Sequence, residues 1–329
     1  GVQTCALPIS VVPLPSVTID VTSGTQTQAQ AGYPKLINAP IVTKTGSGTV
    51  IMDSPNTYTG TTTVSEGTLR ITNPLAVQAT PLVVRGGGII QLPRNTPIVV
   101  PTKTIECDVA TGGTIDVGRG LFNCFPPNGA GDGWMVDWIS GGRNDGSWQG
   151  AGGITSSAVV DDAAHGTSRA VGWMDNGDGS VTFGYAASGD TNLDWQVDIL
   201  DAANFLAGGK FDAGSLATWS EGDFTYDQLV DILDAAEFVA TGLFDTGPYN
   251  AAAGTIAAVP EPSASAMILA GLGGVVWCVH RGLRTRPAHA AYRELQLDYR
   301  LIGLLARRSE EHTSELQSRQ YLVCRLLLE

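Results

Sequence analysis

The chain has 329 residues, of which 16% are charged and 41 are Gly, and a formal net charge of −13. That length allows two or three domains with a real core. The low charge and abundance of Gly, Ser and Thr suit turn-rich β-structure, and the acidity argues against a nucleic-acid partner, which needs a basic surface.

The chain begins at Gly1 rather than Met, so the natural N-terminus and any signal peptide are expected upstream. The opening G-V-Q-T-C-A-L-P-I and the closing R-S-E-E-H-T-S-E-L-Q-S (Arg308–Ser318) both resemble translated frames of a sequencing adapter. Residues 1–10 and 308–329 are therefore set aside from functional reasoning, as one would a fusion scar. This removes Cys5 and Cys324 and leaves Cys107, Cys124 and Cys278. Cys278, in an apolar run, reads as packing. Cys107 and Cys124 flank a Gly-rich strand region and are either a disulfide of an exported domain or two buried thiols. No Cys/His pattern points to zinc.

Residues 11–185 read as a β-rich domain, either a parallel β-helix or solenoid, or a sandwich. From Thr45 to Ile71, short β-branched runs are cut by Pro-Asn, Gly60 and Glu-Gly, and T-T-T-V-S and T-L-R-I alternate as half-buried strands do. The core N-T-Y-T-G-T-T-T-V-S-E-G-T-L, Asn56 to Leu69, resembles the autotransporter-associated β-strand repeat. The resemblance implies a solenoid rung with stacked Thr/Val ladders and Gly or Asn at the corners. Stacked rungs need neighbours, so more are expected upstream. Residues 72–160 continue in the same style, as further rungs or a capping sandwich. Trp134, Trp138, Trp148 and Trp173 fit either a β core or a sugar-stacking platform, the core being the commoner use. D-N-G-D-G at Asp175–Gly179 predicts a hairpin turn. Although Asp175 and Asp178 imitate a calcium loop, no helix follows, and no metal is expected there.

The acidity is concentrated between Asp190 and Asn250: ten Asp and two Glu against one Lys. Within this stretch V-D-I-L-D-A-A-N-F (Val197–Phe205) recurs as V-D-I-L-D-A-A-E-F (Val230–Phe238), a duplication with a period of 33 residues. Each copy closes a run of spaced oxygen donors. Asp190, Asn192, Asp194, Gln196, Asp198 and Asp201 occupy positions 1, 3, 5, 7, 9 and 12 of the first loop. Asp223, Thr225, Asp227, Leu229, Asp231 and Asp234 occupy those of the second. Calcium takes six to eight oxygens from such a loop; position 7 needs only its carbonyl, and a carboxylate at position 12 closes the shell. A helix is expected from position 10, with Ile199, Leu200, Phe205 and Leu206 as its packing face. Asp at position 12 and the pairing of copies resemble a type I dockerin over residues 186–250. The resemblance implies two Ca2+ sites and a cohesin-like partner. Trp195 and Gln228 stand where position 6 expects Gly, which demands a non-Gly residue with positive φ at about 1 kcal/mol. With neutral Thr225 as a weaker ligand, the second site is expected to bind less tightly.

A Gly/Ala linker leads to Pro260, Glu261 and Pro262, the apolar run Ser263–Val279 and the basic Arg281, Arg284 and Arg286. About 18 apolar residues span a bilayer, and the arginines predict a cytoplasmic C-terminal end. Residues 251–286 resemble a PEP-CTERM sorting signal, which implies a C-terminal transmembrane helix and processing by an exosortase. Residues 287–307 run past that signal's usual end and stay unassigned.

Together the modules resemble exported surface or biofilm proteins of planctomycete-like bacteria. The reading that follows is a non-catalytic cell-surface or matrix protein with a calcium-dependent interaction module. The alternative is a polysaccharide-binding or polysaccharide-degrading component tethered by the dockerin-like part. That alternative needs clustered acids and bases, but Glu106, Asp108, Asp116, Arg119, Asp137 and His165 are scattered. No G-x-S-x-G, H-E-x-x-H or P-loop motif occurs.

Overall fold

From Val17 onward the β-branched runs become strands and the Gly- or Asn-containing breaks become corners. In the computed structural model, which describes residues 16–127 and 133–250, strands alternate between two sheets. One sheet takes β1 (Val17–Asp20), β3 (Ile41–Thr45), β5 (Thr61–Val64), β7 (Pro81–Val84), β9 (Val99–Cys107) and β11 (Leu121–Phe125). The other takes β2 (Thr25–Thr27), β4 (Thr49–Met52), β6 (Thr68–Ile71), β8 (Ile89–Gln91), β10 (Thr114–Asp116) and β12 (Gly153–Thr155). All neighbours among these strands are parallel, so the architecture is a β-solenoid rather than a sandwich.

The register stacks like on like along the solenoid axis. Val42, Thr62, Leu82 and Ile105 form one buried ladder, and Val50, Leu69, Ile90, Ile115 and Ile154 form another. Each fully buried aliphatic side chain contributes about 1.5–3 kcal/mol. A third ladder runs Ile19, Lys44, Val64, Val84, Cys107. Its fully buried Lys44 turns its ammonium to the corner, donating to the carbonyls of Thr45 and Gly46 at 2.6 Å and of Glu66 at 3.2 Å. Burial lowers its pKa, while Asp20 and Glu66 pull it back up.

The residues of the repeat core each have a job in this winding. Asn56 is buried and exchanges amide hydrogen bonds with Gln28 of the preceding rung, donates to the Ala76 carbonyl and accepts from the Leu36 amide. Tyr58 buries its ring, with its hydroxyl 2.6 Å from that of Thr62. Gly60 lies so close to the rung below that a Cβ there would sit 2.2 Å from the Pro40 carbonyl oxygen.

After β11 the winding ends in a cap. The antiparallel hairpin β13 (Ala170–Asp175) and β14 (Val181–Ala186) adds to β11, so the last pairing of that sheet is antiparallel. Asp175 accepts from the Gly177 amide at 2.7 Å and Asp178 from the Ser180 amide at 2.9 Å, the hydrogen bonds of the expected hairpin turn. Two helices, α1 (Trp134–Arg143) and α2 (Ser157–Ala164), stand where only rungs or a sandwich were expected. α1 lies directly against β12; a Cβ on Gly142 would be 1.8 Å from the Ile154 carbonyl oxygen, so only glycine permits the contact. Trp138 and Trp148 are buried, and Trp134 and Trp173 are half-buried against the core, which is the packing role. Cys107 and Cys124 are separate buried thiols whose pKa values burial raises to about 12.

Among the described residues no helix is long and apolar enough to cross a membrane. The expected span, Pro260, Glu261, Pro262, Arg281, Arg284 and Arg286 lie outside the described residues, as do segments 1–10, 287–307 and 308–329.

Candidate metal loops on the solenoid cap

The duplicated acidic segment folds as two near-identical loop–helix units. Helices α3 (Ile199–Ala207) and α4 (Ile232–Ala240) start at loop position 10. Position 9 caps each helix: Asp198 accepts from the Leu200 amide and Asp231 from the Leu233 amide, both at 2.7 Å. Position 12 completes the capping box, Asp201 accepting from the Asp198 amide and Asp234 from the Asp231 amide, both at 2.9 Å.

Each loop then closes on its own carboxylates. Asp190, at position 1, accepts from the amides of Asp194 (3.3 Å) and Trp195 (3.0 Å). Asp223 repeats this with Asp227 (3.1 Å) and Gln228 (3.0 Å). The other oxygen of Asp201 accepts from the amides of Thr191 and Asn192, and that of Asp234 from those of Phe224 and Thr225. Position 5 turns on itself, Asp194 accepting from the Gln196 amide and Asp227 from the Leu229 amide. The positive φ required at position 6 is present, 66° at Trp195 and 68° at Gln228, and position 4 shares it at Leu193 and Tyr226.

The electrostatics are unbalanced. Asp190, Asp201 and Asp234 are fully buried and Asp223 nearly so, yet none of the ion pairs Arg94–Asp161, Arg119–Asp162 and Lys210–Glu221 reaches them. Burial holds the Asp190 carboxyl well above the usual range; a hydrogen bond from Tyr249 opposes this and the Asp201 charge adds to it. Asp223 is pushed up to about 6, chiefly by burial, with the Gln228 amide opposing and Asp234 adding. Asp194 is raised by burial in the same way. Among the described residues no three His, Cys, Asp or Glu side chains converge into a ready-made metal cage, and the loop carboxylates are engaged by backbone amides.

The packing face differs from expectation. Only Phe205 turns inward, its ring 6.1 Å from those of Phe224, on which it stacks, and Phe238, to which it is tilted. Ile199, Leu200 and Leu206 are more than half exposed, and so are Ile232, Leu233 and Val239 of the second helix. The loops, not the helix stripes, hold the module on the solenoid. Trp195 is buried and donates from Nε1 to the Tyr185 carbonyl at 3.1 Å, while Trp219, bonded within the module to the Asp190 carbonyl at 2.8 Å, packs against Gly172 of β13. Tyr226 donates to the Val171 carbonyl at 2.9 Å.

The scattered acids and bases of the solenoid stay scattered. Asp116 accepts from Gln91 and from two backbone amides, Asp108 caps a single helical turn, and Glu106 and Asp137 are exposed on separate elements. His165 is exposed beside the Asp161 carbonyl. Arg119 alone reaches a cavity, which sequence reasoning did not anticipate.

Residues 42–71 match the model of the passenger-associated-transport-repeat family. The match spans the Asn56–Leu69 core and two rungs of the solenoid, from β3 through β6. No curated protein and no solved structure was found to match the chain.

Proposed function

We propose that this chain belongs to an exported, non-catalytic cell-surface or matrix protein. In this reading the β-solenoid is a stalk, and residues 186–250 are a calcium-dependent interaction module seated on its cap. Residues 251–286 are an exosortase-processed sorting tail with a membrane helix. The matched repeat and the solenoid support surface display. The observation that carries the module is its pair of loops with matching loop-closing and capping hydrogen bonds, each burying acidic side chains that form no ion pair among the described residues.

The donor set fits calcium. It is all oxygen, it is repeated, and its spacing is that of a loop around a hard cation. An ionised carboxylate has about four lone-pair sites, so an amide on one oxygen leaves others for a metal. In the second loop, Thr225 Oγ1 is buried without a hydrogen-bond partner among the described residues, at position 3 where a ligand is expected. Asp190, Asn192, Asp194, Asp198 and Asp201, with the Gln196 carbonyl, hold the first ion. Asp223, Thr225, Asp227, Asp231 and Asp234, with the Leu229 carbonyl, hold the second. A metal there is structural. It neutralises the buried charge and fixes the helices for a cohesin-like partner.

Calcium titration of the whole chain, followed by calorimetry and circular dichroism, is expected to show two binding events and a gain in helical signal. No response to millimolar calcium would sink the metal reading. The second reading, a polysaccharide-active component, is favoured by the cavity that Arg119 lines. Release of sugar from a polysaccharide panel would put it first.

A further inference from the structure

Where the solenoid cap meets the loop–helix module, an open cleft of about 390 Å³ is lined by Arg119, Asp162, Arg169, Tyr185, Tyr249 and Asn250, among others. That volume falls within the range of small-ligand sites, about 300–1,000 Å³. Most of its polar atoms are already committed. Arg119 donates to the Tyr185 hydroxyl at 2.7 Å and to Asp162 at 2.5 Å, and Tyr185 donates to the other oxygen of Asp162 at 2.5 Å. Tyr249 donates to Asp190 at 2.5 Å. The two guanidinium groups lie over the two tyrosine rings, Arg119 at 4.9 Å from Tyr185 and Arg169 at 5.1 Å from Tyr249, so their planes are fixed.

Two atoms remain. Arg169 Nε is a buried donor and Asn250 Oδ1 a buried acceptor, and neither has a hydrogen-bond partner among the described residues. Asn250 is 1% exposed, and its amide nitrogen donates to the Arg119 carbonyl at 3.1 Å, which leaves the orphaned oxygen fixed in place. Leaving such a group unpaired is unfavourable, and more so for a charged one. The cleft also sets two guanidinium groups against one carboxylate, a local cationic excess in a chain of net charge −13. A neutral ligand would not use that excess, and a bare anion would leave the Asn250 oxygen without a donor.

We propose that this cleft binds a small hydroxy-carboxylate. The ligand's carboxylate accepts from Arg169 Nε–H, and a nearby hydroxyl donates to Asn250 Oδ1. Free 2-hydroxy acids and the uronic-acid units of polysaccharides share this chemistry. None of the proposed calcium ligands lines the cleft, which touches the first loop through the Tyr249–Asp190 hydrogen bond.

The test is calorimetric titration of the whole chain with glycolate, D-galacturonate, acetate and D-galactose. Glycolate and galacturonate are expected to bind saturably, acetate more weakly, and galactose not at all. Tighter binding of galacturonate than glycolate identifies polysaccharide as the source; the reverse identifies a free acid. Arg169→Gln and Asn250→Asp should each weaken binding at least about tenfold, the second by placing a negative charge against the ligand on an isosteric side chain. Circular dichroism confirms that each variant is folded, and if Arg169→Gln does not fold, Asn250→Asp carries the test. Absence of saturable binding by both hydroxy-carboxylates, equal binding of galactose, or full affinity in a folded variant overturns the proposal.

Discussion

Trp195 and Gln228 occupy equivalent loop positions with nearly the same left-handed backbone, yet they are held there by different forces. A non-Gly residue in this region costs about 1–2 kcal/mol. The Trp195 ring is 2% exposed and its indole N–H is bonded to the solenoid, so core burial offsets the strain. Gln228 is exposed and makes no comparable contact. Trp195→Gly should therefore destabilise the protein by about 3 kcal/mol, the usual loss on truncating a buried Trp less the relieved strain. Gln228→Gly should be neutral or stabilising by up to about 1 kcal/mol, since the gain in φ is partly cancelled by unfolded-state entropy. Urea denaturation of the metal-free proteins checks both. Equal neutral or stabilising effects would mean that position 6 matters only as backbone.

At the scale of elements, the two loop–helix units share their capping and loop-closing hydrogen bonds but differ at position 3, where Asn192 is replaced by Thr225. A neutral hydroxyl with a weaker dipole than the amide oxygen is the poorer calcium ligand, and the first loop also has the more deeply buried position 1. Asp201→Ala is thus expected to reduce calcium affinity more than Asp234→Ala, measured as separate binding steps by calorimetry. Equal losses would contradict the ranking of the sites. The loop backbone and helix starts were legible in the sequence because polar spacing, cap and helix start are local, each set by residues within one turn of the others. The rungs around Asn56–Leu69 were legible for a similar reason: alternation and corner residues recur along the chain. α1 was not. Its Trp134, Met135, Trp138 and Ile139 have helical spacing, but the Gly-Gly that follows reads as a turn. Those glycines are there because β12 passes within contact of Gly142, a long-range fact. The exposure of Ile199 and Leu200 was hidden likewise, since an apolar stripe does not say whether a partner element belongs to the same chain. The cleft was least legible of all: Arg119, Arg169 and Asn250 are brought together only by the docking of the loops onto the cap.

For the molecule as a whole, that docking makes the cap and the loop–helix module one mechanical unit. Trp195 anchors the Asp190 loop to β14, while within the module Tyr249 bonds to the Asp190 carboxylate and Trp219 to its carbonyl. Trp219 also packs against Gly172 of β13, where a Cβ would lie 2.5 Å from the indole nitrogen. A cation that rigidifies the first loop therefore stabilises the hairpin β13–β14, and through its pairing with β11 the end of the solenoid. Ligand that binds only the folded state adds RT ln(1 + [L]/Kd), about 2.7 kcal/mol at a hundredfold excess over Kd. If the module were an independent bead, calcium would raise the melting of residues 186–250 alone. Because it is not, hydrogen exchange should slow on calcium addition in Ala170–Asp175, Val181–Ala186 and Leu121–Phe125 as well as in the loops. Distant rungs such as Thr49–Met52 should be little changed. Protection confined to 186–250 would show that the interface opens more readily than either part unfolds, and the stalk would then be mechanically uncoupled from the module it carries.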